Sequence, residues 1–273
     1  MIRRAAPFAD TAAPARDPGA GWPAPCRANV LALLPARDES ANLGQVLAGV
    51  LRQVEQVLVV DDGSGDDTAR IAASVPGVAV VRIPQSGKGA ALRVGFRHAV
   101  DEGFDWVLTL DSDGQHDPDE IPRFFEAARH GAPPVIVGSR RGALEGMPLL
   151  RRATNVFMSW LVSRYARQRI PDSQNGFRLI STRLLREVPL TTSNFETESE
   201  LLVNAGRRGF EIGSVPVSTI YRKGGKSHIR KVPDTLRFLR LCARKPWLSE
   251  SGPALRSPAS IEPEKSTLGE PQP

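Results

Sequence analysis

Two aspartates one residue apart, Asp111 and Asp113, end the apolar run Leu108-Thr109-Leu110 and precede Gly114, Gln115 and Pro118. Alternate side chains on an extended backbone point the same way, so both carboxylates can aim at one point. Strand ends are where open α/β sheets bind ligands. Two hard oxygen ligands and a glutamine carbonyl suit Mg²⁺ or Mn²⁺, which complete their octahedra with water and substrate phosphates. The spacing points to a divalent cation held by Asp111, Asp113 and Gln115 against a diphosphate. A polar loop capping the helix opened by Pro118 is the plainer reading, and the string alone does not decide.

A second acidic strand end, Asp61-Asp62-Gly63-Ser64, lies two strand–helix units earlier. Its carboxylates can accept hydrogen bonds from a base or ribose, although the same residues suit a helix-capping loop. Gly87-Lys88-Gly89 resembles half a phosphate loop without the Walker spacing, which argues against ATP hydrolysis. Its glycines would let backbone N–H groups approach an anion at a helix start. Arg140 after Gly138-Ser139 can clamp a phosphate. Arg178 follows Asn175-Gly176-Phe177, and Glu196, Glu198 and Glu200 read equally as the first turn of a helix. Tyr221-Arg222-Lys223-Gly-Gly-Lys226-Ser227-His228 is a cationic loop suited to closing over a diphosphate.

These residues need a frame, and the first half supplies alternating strands and helices. Strand patterns fall at Val30–Leu34, Gln56–Val60, Val78–Ile83, Asp105–Leu110 and Val135–Val137. Helical spacing joins them, beginning at Ser40, Asp66–Thr68, Gly87 and Pro118. Such alternation predicts a mostly parallel sheet with right-handed crossovers. In the second half Leu149–Tyr165 is apolar on nearly all faces, so it is buried or lies against lipid. Further strands are predicted near Arg178–Ile180 and Glu211–Tyr221, with a short helix at Glu198–Arg207. Thr235–Lys245 gathers Arg237, Arg240 and Arg244 on one face of an otherwise apolar helix, an interfacial composition.

The 273 residues allow one large α/β domain, and 41% apolar with 24% charged residues is ordinary for a globular protein. Residues 1–27 read as a disordered leader, 28–248 as the folded domain and 249–273 as a disordered tail. A net charge of +6 favours anionic partners. Nucleic acid is disfavoured, because aromatics are only 6% and do not interleave with the basic residues. The two cysteines, Cys26 and Cys242, form no zinc or disulfide framework. No apolar run approaches the roughly 20 residues of a spanning helix. The expected setting is cytoplasmic and peripheral, at the inner face of a membrane.

With these residues in view, the chain resembles the family 2 inverting glycosyltransferases, particularly dolichyl- or polyprenyl-phosphate mannosyl- and glucosyltransferases. The resemblance runs in order through LLPARDESANL, VLVVDDGSGDDT, GKGAALRVGF, LTLDSDGQHDP, VGSR, QNGFR, FETESEL and YRKGGKSH. It departs where the family's PxYNE reads Pro35-Ala-Arg37-Asp38-Glu39. The resemblance implies a GT-A fold, a Rossmann-like sheet flanked by helices. It implies that Pro35, Ala36 and Glu39 line a nucleotide pocket, with Asp61 and Asp62 on base and ribose and Lys88 and Asp111 on the donor. Asp111, Asp113 and Gln115 would hold Mg²⁺ or Mn²⁺. Arg140 would meet the acceptor phosphate, with Arg178, Arg222, Lys226 and Ser227 supporting it or the leaving diphosphate. Asp113, Arg140 and Arg222 would carry the chemistry. The implied reaction moves a hexose, from GDP-mannose first and UDP-glucose second, to a polyprenyl phosphate. The alternatives are a saccharide acceptor, with Glu198 as base, and a non-catalytic nucleotide- or nucleic-acid-binding protein.

Overall fold

The apolar runs become the centre of one sheet because each is apolar on both faces. The computed structural model describes residues 23–129, 133–140 and 149–220. Seven strands run in chain order: β1 Val30–Ala36, β2 Gln56–Asp62, β3 Val78–Ile83, β4 Trp106–Thr109, β5 Val135–Ser139, β6 Arg178–Ser181 and β7 Ile212–Pro216. The helices are α1 Leu43–Leu51, α2 Thr68–Ser74, α3 Lys88–Asp101, α4 Ile121–Arg129, α5 Leu149–Ala166, α6 Thr182–Glu187 and α7 Glu196–Arg207.

The sheet order is β3-β2-β1-β4-β6-β5-β7. Only β6 runs against the others, pairing antiparallel with both β4 and β5. Two apolar layers enclose the sheet, split by strand alternation. Leu31 and Leu33 of β1 pack with α3, α5, α6 and α7 on one face. Val30, Ala32 and Leu34 pack with α1, α2 and α4 on the other. Gly95 lets α3 approach the sheet, since a Cβ there would overlap the Leu33 side chain.

Strand order turns at β1. From β1 the chain moves outward to β2 and β3, then crosses back to place β4 on the opposite side of β1. The carboxyl ends of β1 and β4 therefore flank a topological switch point, where open α/β sheets leave a crevice for ligands.

The expected first helix begins later than Ser40. Asp38 has a positive φ of 53°, and the Ser40 N–H donates to Asp66 Oδ2, so residues 38–42 form turns before Leu43. The short helix α6 was not expected, and α7 starts two residues earlier than its sequence pattern suggested. The expected helix at Thr235–Lys245 lies outside the described residues.

Candidate active site

The three acidic or polar strand ends converge at the switch point. Pro35 and Ala36 close β1, in register with Val60 and Asp61 of β2. On the other side Ser112, between the two aspartates, donates its hydroxyl to the Pro35 carbonyl at 2.9 Å. That bond ties the loop after β4 to the end of β1. Glu39 follows in the turn, its N–H donating to Thr68 Oγ1 at 2.8 Å.

At the end of β2 both carboxylates are buried, and all of their oxygens except Asp61 Oδ2 accept hydrogen bonds. Asp61 Oδ1 accepts from the Ser64 N–H at 3.1 Å and from the Ser64 hydroxyl. Its Oδ2 faces Arg82 Nε at 3.0 Å. Asp62 accepts from the Ser86 N–H at 2.6 Å and from the Gly87 N–H at 3.1 and 3.0 Å. The anion at the start of α3 is thus the carboxylate of Asp62. One further N–H of that helix start, that of Ala90, donates to the Ser193 carbonyl at 2.9 Å. Gly87 is required here: its φ is +100°, and a Cβ would stand 2.5 Å from Asn194 Oδ1. The glycines serve this packing, and the expected approach of backbone N–H groups to a ligand anion is not what they support.

After β4 the situation differs. Asp111 Oδ1 meets the Lys88 ammonium at 2.6 Å, and Oδ2 meets His116 Nε2 at 3.3 Å. Lys88 also reaches Glu198 Oε2 at 3.0 Å. Burial alone would raise the Asp111 carboxyl, but the Lys88 charge and the His116 contact hold it well below the usual range. Burial also disfavours the Lys88 ammonium, and Asp111 and Glu198 outweigh that to raise its pKa. Asp113 moves the other way: burial and the neighbouring Asp111 charge raise its carboxyl. Its Oδ1 accepts from the Gln115 N–H at 2.9 Å and its Oδ2 from Gln115 Nε2 at 2.7 Å. Gln115 therefore turns its amide donor, and not its carbonyl, toward Asp113. Serving as a cation ligand requires that amide to rotate over.

The two arginines expected at phosphates have different surroundings. Arg140, just past β5, forks onto Asp172 through Nε at 2.7 Å and Nη2 at 2.9 Å, and both side chains are buried. Burial would raise Asp172, yet Arg140 holds it low. Strand order sets Arg140 two strands from β4, about 10 Å by sheet spacing. Arg178 is 1% exposed. It donates to the carbonyls of Asn175 at 2.8 Å, Glu198 at 2.6 Å and Ser173 at 2.8 Å. Its guanidinium is enclosed by the protein, which corrects the expectation of direct phosphate contact and makes it a scaffold for Glu198 and the Ser173–Asn175 turn. Arg222, Lys226 and Ser227 lie outside the described residues.

Three residues were missed. His116 sits inside the acidic motif, buried against Asp111 and 5.2 Å from the Phe177 ring; a histidine five positions after the first aspartate was the available signal. Gly176 lets Asp111 fit, since a Cβ there would stand 2.8 Å from its Oδ1. Asp172, the partner of Arg140, carried no local signal.

The donor set suits a hard divalent cation. Burial and the Asp111 charge raise the Asp113 carboxyl, and a cation between the two would reverse the repulsion. Among the described residues no group of three His, Cys, Asp or Glu could hold a metal alone. Two carboxylates, with the remaining positions left to water and phosphate oxygens, is the usual provision for Mg²⁺.

The fold is that of the GT-A glycosyltransferases. A solved glucosyl-3-phosphoglycerate synthase from Mycobacterium tuberculosis, in complex with Mn²⁺, UDP and glucosyl-3-phosphoglycerate, superposes with a TM-score of 0.60 at 22% identity. The superposition covers 79% of this chain and 77% of that one. The model of glycosyl transferase family 2 matches residues 32–191, and the chain belongs to that family. An undecaprenyl-phosphate mannosyltransferase of Micrococcus luteus is 31% identical over 72% of this chain and 86% of its own length. A polyprenol monophosphomannose synthase of Mycolicibacterium smegmatis is 30% identical over 78% and 86%. The protein is an enzyme, a glycosyltransferase that resembles polyprenyl-phosphate mannosyltransferases.

Proposed function

We propose that the protein transfers a hexose from a nucleoside-diphosphate sugar to a polyprenyl phosphate, with inversion and with Mg²⁺ or Mn²⁺. The observation that carries this is the position of Asp111 and Asp113 at the switch point beside β1. The polyprenyl-phosphate names of two relatives support the acceptor class. GDP-mannose is the first donor to test and UDP-glucose the second.

In this reading Pro35, Ala36, Glu39, Asp61 and Asp62 line the nucleoside side, and Asp111, Asp113 and Gln115 hold the cation. A bound cation would supply charge stabilisation to the departing nucleoside diphosphate. Lys88 supports the same oxygens. The acceptor phosphate oxygen attacks the anomeric carbon opposite the leaving group, with Arg140 holding the phosphate and Arg222, Lys226 and Ser227 covering the site. That oxygen is already anionic, so positioning matters more than proton removal. Glu198, the base that a hydroxyl acceptor would need, is ion-paired with Lys88.

A polyprenyl chain stays in a bilayer, so the enzyme must meet one. No described helix is long and apolar enough to cross a membrane. On α5 the exposed Val156 (52%), Phe157 (48%) and Trp160 (61%) form an apolar stripe, continued by exposed Arg152 and Arg164. Peripheral attachment at the cytoplasmic face fits that stripe and the sequence of Thr235–Lys245.

The deciding experiment screens labelled nucleotide sugars against undecaprenyl, decaprenyl and dolichyl phosphate with Mg²⁺ or Mn²⁺. Transfer to a polyprenyl phosphate that a chelator abolishes is the expected result. Transfer only to soluble saccharides would overturn the acceptor assignment. Replacing Phe157 and Trp160 by Glu is expected to weaken binding to anionic liposomes at least about tenfold; unchanged partitioning would separate α5 from the membrane.

A further inference from the structure

The first residue of α3 carries a partly buried ammonium into the acidic cluster. Lys88 Nζ lies 2.6 Å from Asp111 Oδ1, 3.0 Å from Glu198 Oε2 and 5.8 Å from the Phe195 ring centroid. A cation at a helix N-terminus opposes the helix dipole. Local propensity does not put it there; the two carboxylates do. On its other oxygen Asp111 meets His116 at 3.3 Å, so a divalent ion approaching Asp111 finds both oxygens engaged. Asp113 is engaged likewise, by the backbone and side chain of Gln115.

We propose that Lys88 is the site's resident counter-ion: it keeps Asp111 paired until a nucleoside diphosphate draws the ammonium away, so that cation and donor load together. The inference rests on the reading of Asp111 and Asp113 as cation ligands. A diphosphate offers more negative charge than one carboxylate, and an ammonium on a four-carbon stem adapts to it readily. The backbone need not move. The start of α3 is fixed by Asp62 and by the Ser193 carbonyl, so only the lysine side chain swings. Binding of cation and donor are then coupled, and the coupling is reciprocal.

The test measures Mn²⁺ binding by electron paramagnetic resonance of the free ion, for wild type, Lys88→Met and Lys88→Arg, with and without UDP or GDP. Nucleotide-free Lys88→Met, with Asp111 unpaired, is expected to bind Mn²⁺ about tenfold more tightly than wild type, with Lys88→Arg close to wild type. The nucleotide is expected to tighten Mn²⁺ binding more in wild type than in Lys88→Met. If Lys88→Met does not fold in chelator, Mn²⁺ should restore its circular dichroism, the ion replacing the missing ammonium; no restoration refutes the proposal. Equal or weaker Mn²⁺ binding by Lys88→Met overturns the counter-ion role and leaves the cation site standing. No Mn²⁺ binding by any of the three proteins, even with nucleotide, overturns both.

Discussion

At the end of β2, Asp61 and Asp62 are neutralised mainly by hydrogen bonds from the adjoining loops, while at the end of β4, Asp111 and Asp113 sit among charges. Asp62 receives the N–H groups of Ser86 and Gly87, and Asp61 the N–H and the hydroxyl of Ser64. Asp111 depends on Lys88 and His116, and Asp113 remains strained by Asp111. A carboxylate held by fixed amide dipoles rigidifies a loop. A carboxylate held by a mobile ammonium can exchange that partner for another cation. The first arrangement shapes a pocket, and the second leaves room for chemistry.

The largest expected effect breaks the second arrangement. Asp113→Asn should lower metal-dependent sugar transfer about 10³-fold without lowering thermal stability, because it removes a repelled charge. Activity assays and a melting curve on the same preparation check it. Undiminished transfer would refute the assigned role, and a large loss of stability would show that the carboxylate is structural.

The next effect breaks the first arrangement. Asp62→Ala leaves two backbone N–H groups without their acceptor at the start of α3, at a cost of about 2–4 kcal/mol. Urea unfolding measures it. A stability loss confined to Asp62, with Asp113→Asn neutral, is the contrast expected from the two sets of partners.

Acidity sharpens the same contrast. A raised carboxyl favours its protonated form in the folded protein. The stability contributed by Asp113 is therefore fully present below its ordinary pKa of 3.8 and lost as pH rises through the raised value. Asp111 has the opposite sign: its depressed carboxyl stabilises above the ordinary value, and that contribution fades only at strongly acid pH. In a chelator, the stability of Asp113→Asn relative to wild type should increase from about pH 4 upward and then level. Unfolding midpoints across that range test it, and a flat difference would mean that burial and the Asp111 charge do not raise this carboxyl.

Much of this frame was legible in the sequence, because strands apolar on both faces and helices at period 3.6 leave local patterns. β1 to β5 and the placement of both acidic motifs followed from them. Strand direction leaves no such pattern, so β6 gave no sign that it runs backward between β4 and β5. Helix α6 has six residues, too few for a periodic signal. At the site, Asp111 and Asp113 were readable as neighbours. The Lys88–Glu198 pair, the Arg140–Asp172 fork and the Gly176 contact join residues far apart in the chain. Arg178 looked like a phosphate ligand because sequence shows its charge and not its 1% exposure.

The smallest expected effect asks whether charge matters at β2 at all. Arg82 lies opposite Asp61 in the sheet register and reaches its Oδ2 at 3.0 Å, yet 61% of the arginine side chain is exposed. Solvent screens the arginine end of the pair while Asp61 is fully buried, so Arg82→Met should cost about 1 kcal/mol, less than Asp62→Ala, with nucleotide affinity changed by no more than a few-fold. Ser64 continues to hold Asp61 Oδ1 in that variant. Urea unfolding beside Asp62→Ala gives the comparison directly. A loss from Arg82→Met as large as that from Asp62→Ala would mean that the end of β2 also relies on a counter-charge, and the distinction between the two acidic strand ends would fall.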